Sequence, residues 1–374
     1  METLQRIIRA RKRITCSFFI VLSCLTVGFG PPVLTDSDLG NLRLYPHQIE
    51  AIAALAMPEV TAQAAIVSDV AAGQVLAEKN AHQRLAPAST TKIATALVAL
   101  QRGQLEEQVV VQESALIGGA QMGLSPGQVV TLEELLYGLL LRSGNDAATA
   151  IAQHIGGSVD GFVEMMNQEA EALGLTDTHF ANPHGLDAPD HYSSAYDLMV
   201  IARQALANPT LAEIVSTQEV TFRGRPLSNR NELLGNYPGA DGIKTGTTSE
   251  AGECLVASAT RDGHQVLVVV LGSEDRYGDA SILLDYYFDH YAWYPLEVGS
   301  GSLNRFQDSN GVWRTLGLQD RAEVFLPRWQ GALLRCFRQV NEERAMGTSE
   351  PVGTAFFYAG PWPQAQLPLY VREE

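Results

Sequence analysis

The chain has 374 residues, 46% of them hydrophobic, enough for a substantial core and for one main domain with a smaller companion. A formal net charge of −16, with no basic run beyond the first 13 residues, excludes a nucleic-acid partner, because phosphate-backbone binding requires clustered Lys and Arg. The four cysteines (Cys16, Cys24, Cys254 and Cys336) form neither a disulfide framework nor a metal-ligand spacing, and only a Cys254–Cys336 pairing is left open.

In chain order, Arg6, Arg9, Arg11, Lys12 and Arg13 precede an uncharged stretch over 14–35, the pattern of a signal peptide or an N-terminal membrane anchor across residues 1–35. No A-x-A cleavage site follows directly, which favours retention as an anchor in the cytoplasmic membrane. Either way the body is exported. Residues 36–62 mix Pro, Asp and Ala without a period and read as a linker.

Strands are predicted at 65–70 and 74–77 as an opening hairpin, then helices from Pro87 to about Gly156, including an apolar one over 132–141. A second hairpin is predicted at 254–260 and 265–271, with the unbroken apolar run over 266–271 as a central strand. Strands at both ends with helices between imply an α/β (α+β) domain. Its antiparallel sheet is drawn from both ends of residues 63–298, covered by helices, and carries an inserted helical region. Gly299-Ser300-Gly301-Ser302 reads as a linker to a small β-rich domain at 303–374, with strands near 354–358 and 365–371.

Three short motifs bear chemistry. Ser89-Thr90-Thr91-Lys92 at a predicted helix start puts a hydroxyl and an amine on one face, close enough for the amine to take the hydroxyl proton. The chain holds only four lysines (Lys12, Lys79, Lys92 and Lys244) against 22 arginines, and Lys alone of the two can lose its proton when buried. Ser143-Gly144-Asn145 follows the apolar helix and can relay a proton and hold an amide on a tight turn. Lys244-Thr245-Gly246-Thr247, expected to head a strand, can clamp a carboxylate while the strand edge takes up an extended substrate. Each motif alone also describes an ordinary capped helix, turn or hairpin. Their order and their spacing, 54 and then 101 residues, are what single out a serine acyl-transfer site.

With these motifs, residues 84–92, 140–147, 182–186 and 241–246 resemble the D-alanyl-D-alanine carboxypeptidases, low-molecular-mass penicillin-binding proteins, over roughly residues 63–292. The resemblance implies a β-lactamase/transpeptidase-like fold and Ser89 as acylated nucleophile with Lys92 as its base. Ser143 and Asn145 would serve proton relay and substrate binding. Lys244 and Thr245, with Arg276, would hold the terminal carboxylate, and the amides of Ser89 and Thr247 would form an oxyanion hole. The substrates implied are peptidoglycan stem peptides ending in D-Ala-D-Ala, with β-lactams as covalent inhibitors, acting in the cell envelope outside the cytoplasmic membrane and without a cofactor or metal. His184, Asp187, Asp190 and His191 crowd one loop, but their spacing matches no standard ligand set, and the loop is expected to be structural and to border the site. The alternatives are a D,D-endopeptidase, a serine β-lactamase with Glu164 or Asn167 in the role of its base, and a non-catalytic β-lactam sensor.

Overall fold

The computed structural model describes residues 56–299, 304–307, 311–340 and 350–372. The expected targeting segment at 1–35, most of the expected linker at 36–62 and most of Gly299–Ser302 lie outside the described residues. No helix among the described residues is long and apolar enough to cross a membrane.

One antiparallel sheet collects strands from distant parts of the chain. β1 (Ala64–Asp69) and β2 (Val75–Lys79) form the opening hairpin; β7 (Ala240–Thr248), β8 (Gly252–Arg261) and β9 (His264–Ser273) return some 170 residues later, in the order β2-β1-β9-β8-β7. β9 is the central strand that its unbroken apolar run predicts. The two-residue period sends Leu267, Val269 and Leu271 to one face of the sheet and Val266, Val268 and Val270 to the other, and all six are fully buried. Each such side chain contributes about 1.5–3 kcal/mol by leaving water. A carboxylate at Val269 would therefore be buried away from water on the Leu267 face of the sheet.

The Leu267 face carries α1 (Lys92–Arg102), α2 (Leu132–Leu141), α3 (Asn145–Gly156), α4 (Val159–Ala172), α5 (Ala195–Leu206) and α6 (Pro209–Ser216). The Val266 face is covered by α7 (Arg276–His290) through Ala280, Leu283, Leu284 and Tyr287. α2 begins with a capping box, in which the Thr131 hydroxyl accepts from the Glu134 amide and the Glu134 carboxylate accepts from the Thr131 amide. The helical stretch predicted from Pro87 to Gly156 is interrupted by a short antiparallel pair, β3 (Gln108–Val110) and β4 (Val129–Thr131). Three-residue strands are too short to show a period in sequence, which is why they were hidden. A further hairpin, β5 (Glu219–Phe222) with β6 (Arg225–Ser228), follows α6.

Beyond α7, β10 (Tyr291–Pro295) pairs with β13 (Glu323–Pro327). A second five-stranded sheet has the order β11-β12-β16-β15-β14, from β11 (Arg305–Gln307), β12 (Trp313–Gly317), β14 (Leu334–Val340), β15 (Gly353–Ala359) and β16 (Trp362–Arg372). It has its own core around Leu316, Phe357 and Leu369. Phe325 stacks on Tyr287 and Tyr291 at ring-centroid distances of 5.6 and 5.5 Å. The Asp69 carboxylate accepts from Tyr287 Oη at 2.5 Å and Trp293 Nε1 at 3.0 Å, tying β1 to both following elements. Cys254 and Cys336 are both free thiols, one buried in β8 and the other on β14.

Candidate active site

Ser89 lies on a single 3₁₀ turn, Ala88–Thr91, that runs directly into α1, of which Lys92 is the first residue. The turn is fastened to Pro87, whose carbonyl accepts from the Thr90 amide at 3.2 Å and the Thr90 hydroxyl at 2.6 Å. In 3₁₀ geometry residues three apart eclipse. Lys92 Nζ accordingly stands 2.8 Å from Ser89 Oγ, 2.8 Å from Asn145 Oδ1 and 2.5 Å from the His184 carbonyl. The amide oxygen and the backbone carbonyl can only accept, so the amine donates to both, and its remaining tetrahedral position faces Ser89. Lys92 is wholly buried, and that burial, followed by the charges of Lys244 and Arg230 and opposed by Asp146, holds its ammonium well below the ordinary value of 10.5. In the neutral form the position facing Ser89 is a lone pair, oriented to receive the hydroxyl proton.

Ser143 lies in the turn between α2 and α3, and Asn145 is the first residue of α3. Ser143 is buried with φ of +61°, and Gly144 is needed because a Cβ there would lie 2.7 Å from Asp146 Oδ1 and 3.0 Å from the Met122 amide nitrogen. The Asp146 carboxylate accepts from the amides of Met122, Gly123 and Leu124 at 2.9, 2.9 and 3.1 Å, clamping that loop to the start of α3. Asn145 is oriented from both ends: its Nδ2 donates to the Gly118 carbonyl at 2.8 Å while its Oδ1 faces Lys92.

The Lys244–Thr247 motif does not head its strand. It fills the second half of β7, the edge strand, whose first half contains a register shift between Ala240 and Gly242. Gly246 lies against the nucleophile turn, where a Cβ would come within 3.0 Å of both Ala88 Cβ and the Ser89 amide nitrogen. Lys244 shares that face by the two-residue period and is buried, its Nζ donating to the Thr245 carbonyl at 2.9 Å. Burial, then the Arg230 and Arg276 guanidiniums, pull its ammonium down to about 7. Arg276, the first residue of α7, donates to the Gly246 carbonyl at 2.8 Å and to Thr247 Oγ1 at 2.7 Å, and pairs with Glu253 at 3.0 Å.

The structure thus brings Ser89, Lys92 and Asn145 into direct contact, sets Gly246 and Lys244 beside them, and places Ser143 in the adjoining turn without a hydrogen bond to Ser89 or Lys92. Arg276 grips the strand edge through Gly246 and Thr247. Two contributors were not legible as site residues. The His184 carbonyl is aimed by Asn182, whose Oδ1 accepts from the Gly185 and His184 amides at 2.7 and 3.3 Å, and Arg230 supplies positive charge to both lysines. The loop that could be drawn as a metal site works here through a backbone oxygen, for which side-chain chemistry offers no signal.

A family model described as D-alanyl-D-alanine carboxypeptidase matches residues 51–275. The chain is 40% identical over 299 residues to the D-alanyl-D-alanine carboxypeptidase DacF of Bacillus subtilis (strain 168), covering 76% of this chain and 73% of the relative. It is 35% identical over 342 residues to the D-alanyl-D-alanine carboxypeptidase DacA of Escherichia coli (strain K12), covering 85% and 84%. Among solved structures it resembles penicillin binding protein 5 from Haemophilus influenzae with a TM-score of 0.66 at 29% identity, over 85% of this chain and 98% of that one. The likeness extends from the motifs through the sheet to the C-terminal β-rich region, and the chain belongs to the D-alanyl-D-alanine carboxypeptidase family of serine peptidases.

Proposed function

We propose that this protein is a serine D,D-carboxypeptidase that removes the terminal D-alanine from peptidoglycan stem peptides through an ester on Ser89. The observation that carries the reading is the Lys92 amine, wholly buried, stripped of solvent and 2.8 Å from Ser89 Oγ, with both of its other near neighbours obligatory acceptors. In the first step the Ser89 proton passes to Lys92 Nζ as Oγ adds to the carbonyl carbon of the penultimate D-alanine. The scissile C–N bond then breaks, and the proton leaves Lys92 for the departing amine with Ser143 as relay. Lys244 and Thr245 receive the terminal carboxylate, Arg276 holds the Thr247 strand edge in register for it, and the amides of Ser89 and Thr247 face the developing oxyanion. Water then cleaves the ester and restores the Ser89 hydroxyl.

A β-lactamase would need a carboxylate base over the ester. Of the two candidates for that role, Glu164 is exposed on α4, where its Oε1 accepts from Gln168 Nε2 at 3.4 Å, and the Asn167 side chain is engaged by the Phe180 backbone. The basic N-terminus and the uncharged stretch after it support an envelope location with attachment to the cytoplasmic membrane through residues 1–35.

The test is release of D-alanine from a diacetyl-Lys-D-Ala-D-Ala peptide by the full-length protein, together with the intact mass after exposure to penicillin. Multiple turnover of the peptide, a penicillin adduct on Ser89 that persists for minutes, and loss of both in Ser89→Ala are expected. Fast turnover of penicillin without D-alanine release would make the protein a β-lactamase, and a stable adduct with no peptide turnover would make it a sensor.

A further inference from the structure

The loop that supplies the His184 carbonyl touches the nucleophile turn and the start of α1 at three residues: His191 Nε2 lies 3.0 Å from Thr91 Oγ1, the His184 carbonyl meets Lys92, and the Pro183 carbonyl accepts from Thr95 Oγ1 at 2.6 Å. Only the first of these contacts uses a side chain of the loop. His191 is 6% exposed, and its tautomer follows from its partners. The Ala181 amide donates to Nδ1 at 3.0 Å, so Nδ1 bears no proton in the neutral ring, and Nε2–H is left to donate to the Thr91 hydroxyl. Ala181 is itself held firmly, because the Asn167 side-chain amide on α4 makes both hydrogen bonds to the backbone of neighbouring Phe180, at 2.8 and 2.9 Å. A continuous set of short contacts therefore runs from α4 through Phe180–Ala181 and the imidazole to the last residue of the nucleophile turn.

We propose that His191 is a positioning residue for the acyl-transfer step: as a neutral Nε2–H imidazole it holds Thr91, and with it the Ser89–Lys92 geometry. The groups that bear on its charge are His179, Asp187, Lys92 and His184, with Asp190 next to it in the chain. Burial first, then the His179 and Lys92 charges, against the opposing pull of Asp187, keep the ring neutral, with its ionisation lowered to about 4. Protonation would put a hydrogen on Nδ1 facing the Ala181 N–H and break that contact while leaving Nε2–H on Thr91, so the link from α4 to the nucleophile turn is continuous only in the neutral state.

This inference rests on the acyl-enzyme reading and deepens it. Its test is the acylation of Ser89 by penicillin, resolved into non-covalent affinity and first-order acylation rate, for wild type, His191→Asn, His191→Gln and Thr91→Val. Asn keeps an acceptor near the Nδ1 position but cannot reach Thr91, whereas Gln reaches it with a terminal N–H. The expected result is a fall of about tenfold in acylation rate, with affinity unchanged, for His191→Asn and for Thr91→Val, no further fall in their double variant, and recovery to near wild type in His191→Gln. On ¹⁵N-histidine spectra of the wild type, His191 is expected to show an unprotonated Nδ1 and to stay neutral at pH 5. A His191→Asn or Thr91→Val protein that acylates at the wild-type rate, a Gln variant as slow as Asn, or a His191 that titrates near 6.5 would overturn the proposal. A wild type that is not acylated at all would instead sink the acyl-enzyme reading on which it rests.

Discussion

Gly185→Ala is the substitution that tests the site geometry most directly, because it adds one methyl group outside the reacting pair. Gly185 has φ of +84°, which costs a non-glycine residue roughly 1–2 kcal/mol. The added Cβ would also lie 1.9 Å from the Ala88 carbonyl oxygen, 2.4 Å from its carbon and 3.0 Å from the Ser89 nitrogen, all backbone atoms. Ordinary contact begins at 3.4 Å, so the loop and the nucleophile turn must separate by about 1.5 Å. If the loop moves, the His184 carbonyl leaves Lys92; if the turn moves, Ser89 Oγ leaves Nζ. Misplacement on that scale costs about 10²-fold in rate. The assay is the first-order rate of penicillin acylation, read beside the thermal midpoint of the same protein. Gly174→Ala is the control: its φ is +72° and nothing lies within 4 Å of the new Cβ, so it carries the backbone strain without the collision. It should lose about 1 kcal/mol of stability and acylate normally. If Gly185→Ala acylates within threefold of wild type, or Gly174→Ala slows as much, the close approach of loop to turn has no bearing on the chemistry.

Two further outcomes follow from the buried lysines. Lys92→Arg keeps the positive charge but replaces a group able to deprotonate with one that cannot, and the acylation rate should fall by roughly 10²- to 10⁴-fold; a near-normal rate would mean that charge alone is required. Lys244 is lowered from 10.5 to about 7 in the folded chain, so between those values the unfolded chain binds a proton that the folded one lacks. Its contribution to stability is therefore complete above about 10.5 and is lost as pH falls toward 7. Lys244→Met should show a shallower rise in denaturation midpoint between pH 7 and 10 than wild type, and an unchanged slope would contradict the burial of this amine.

What could be read from the sequence was whatever depends on residue type and local spacing. Ser89 with Lys92, Ser143 with Asn145, and Lys244 with Gly246 carry their chemistry in side chains or in the lack of one, and the scarcity of lysine already marked two that proved to be buried at the site. The two cores on either side of β9 were implied by its uninterrupted apolar run. The third motif was expected to head its strand, whereas β7 begins four residues earlier and crosses a register shift between Ala240 and Gly242 before reaching Lys244. The His184, Gly118 and Pro183 carbonyls were out of reach for a different reason: every residue has a carbonyl, so only the folded loop shows which ones converge on the Lys92 amine and its neighbours. Arg276 was singled out by resemblance as a carboxylate ligand; its grip on Gly246 and Thr247 depends on where α7 begins relative to β7, a matter of packing rather than of spacing.

The pairing of β1 with β9 has a consequence for how activity arises during synthesis. Ala64 lies opposite Leu271, so the central seam of the sheet cannot close until nearly all of the peptidase region has been made. Contacts of such long sequence separation form late and slowly, because the ordering of the intervening chain precedes any return from pairing. The nucleophile turn emerges early, but β7, which lies against it through Gly246, comes some 150 residues later. A growing chain therefore has the serine and the lysine but no strand edge on which to lay a substrate. Hydrolytic competence arrives only with the finished sheet.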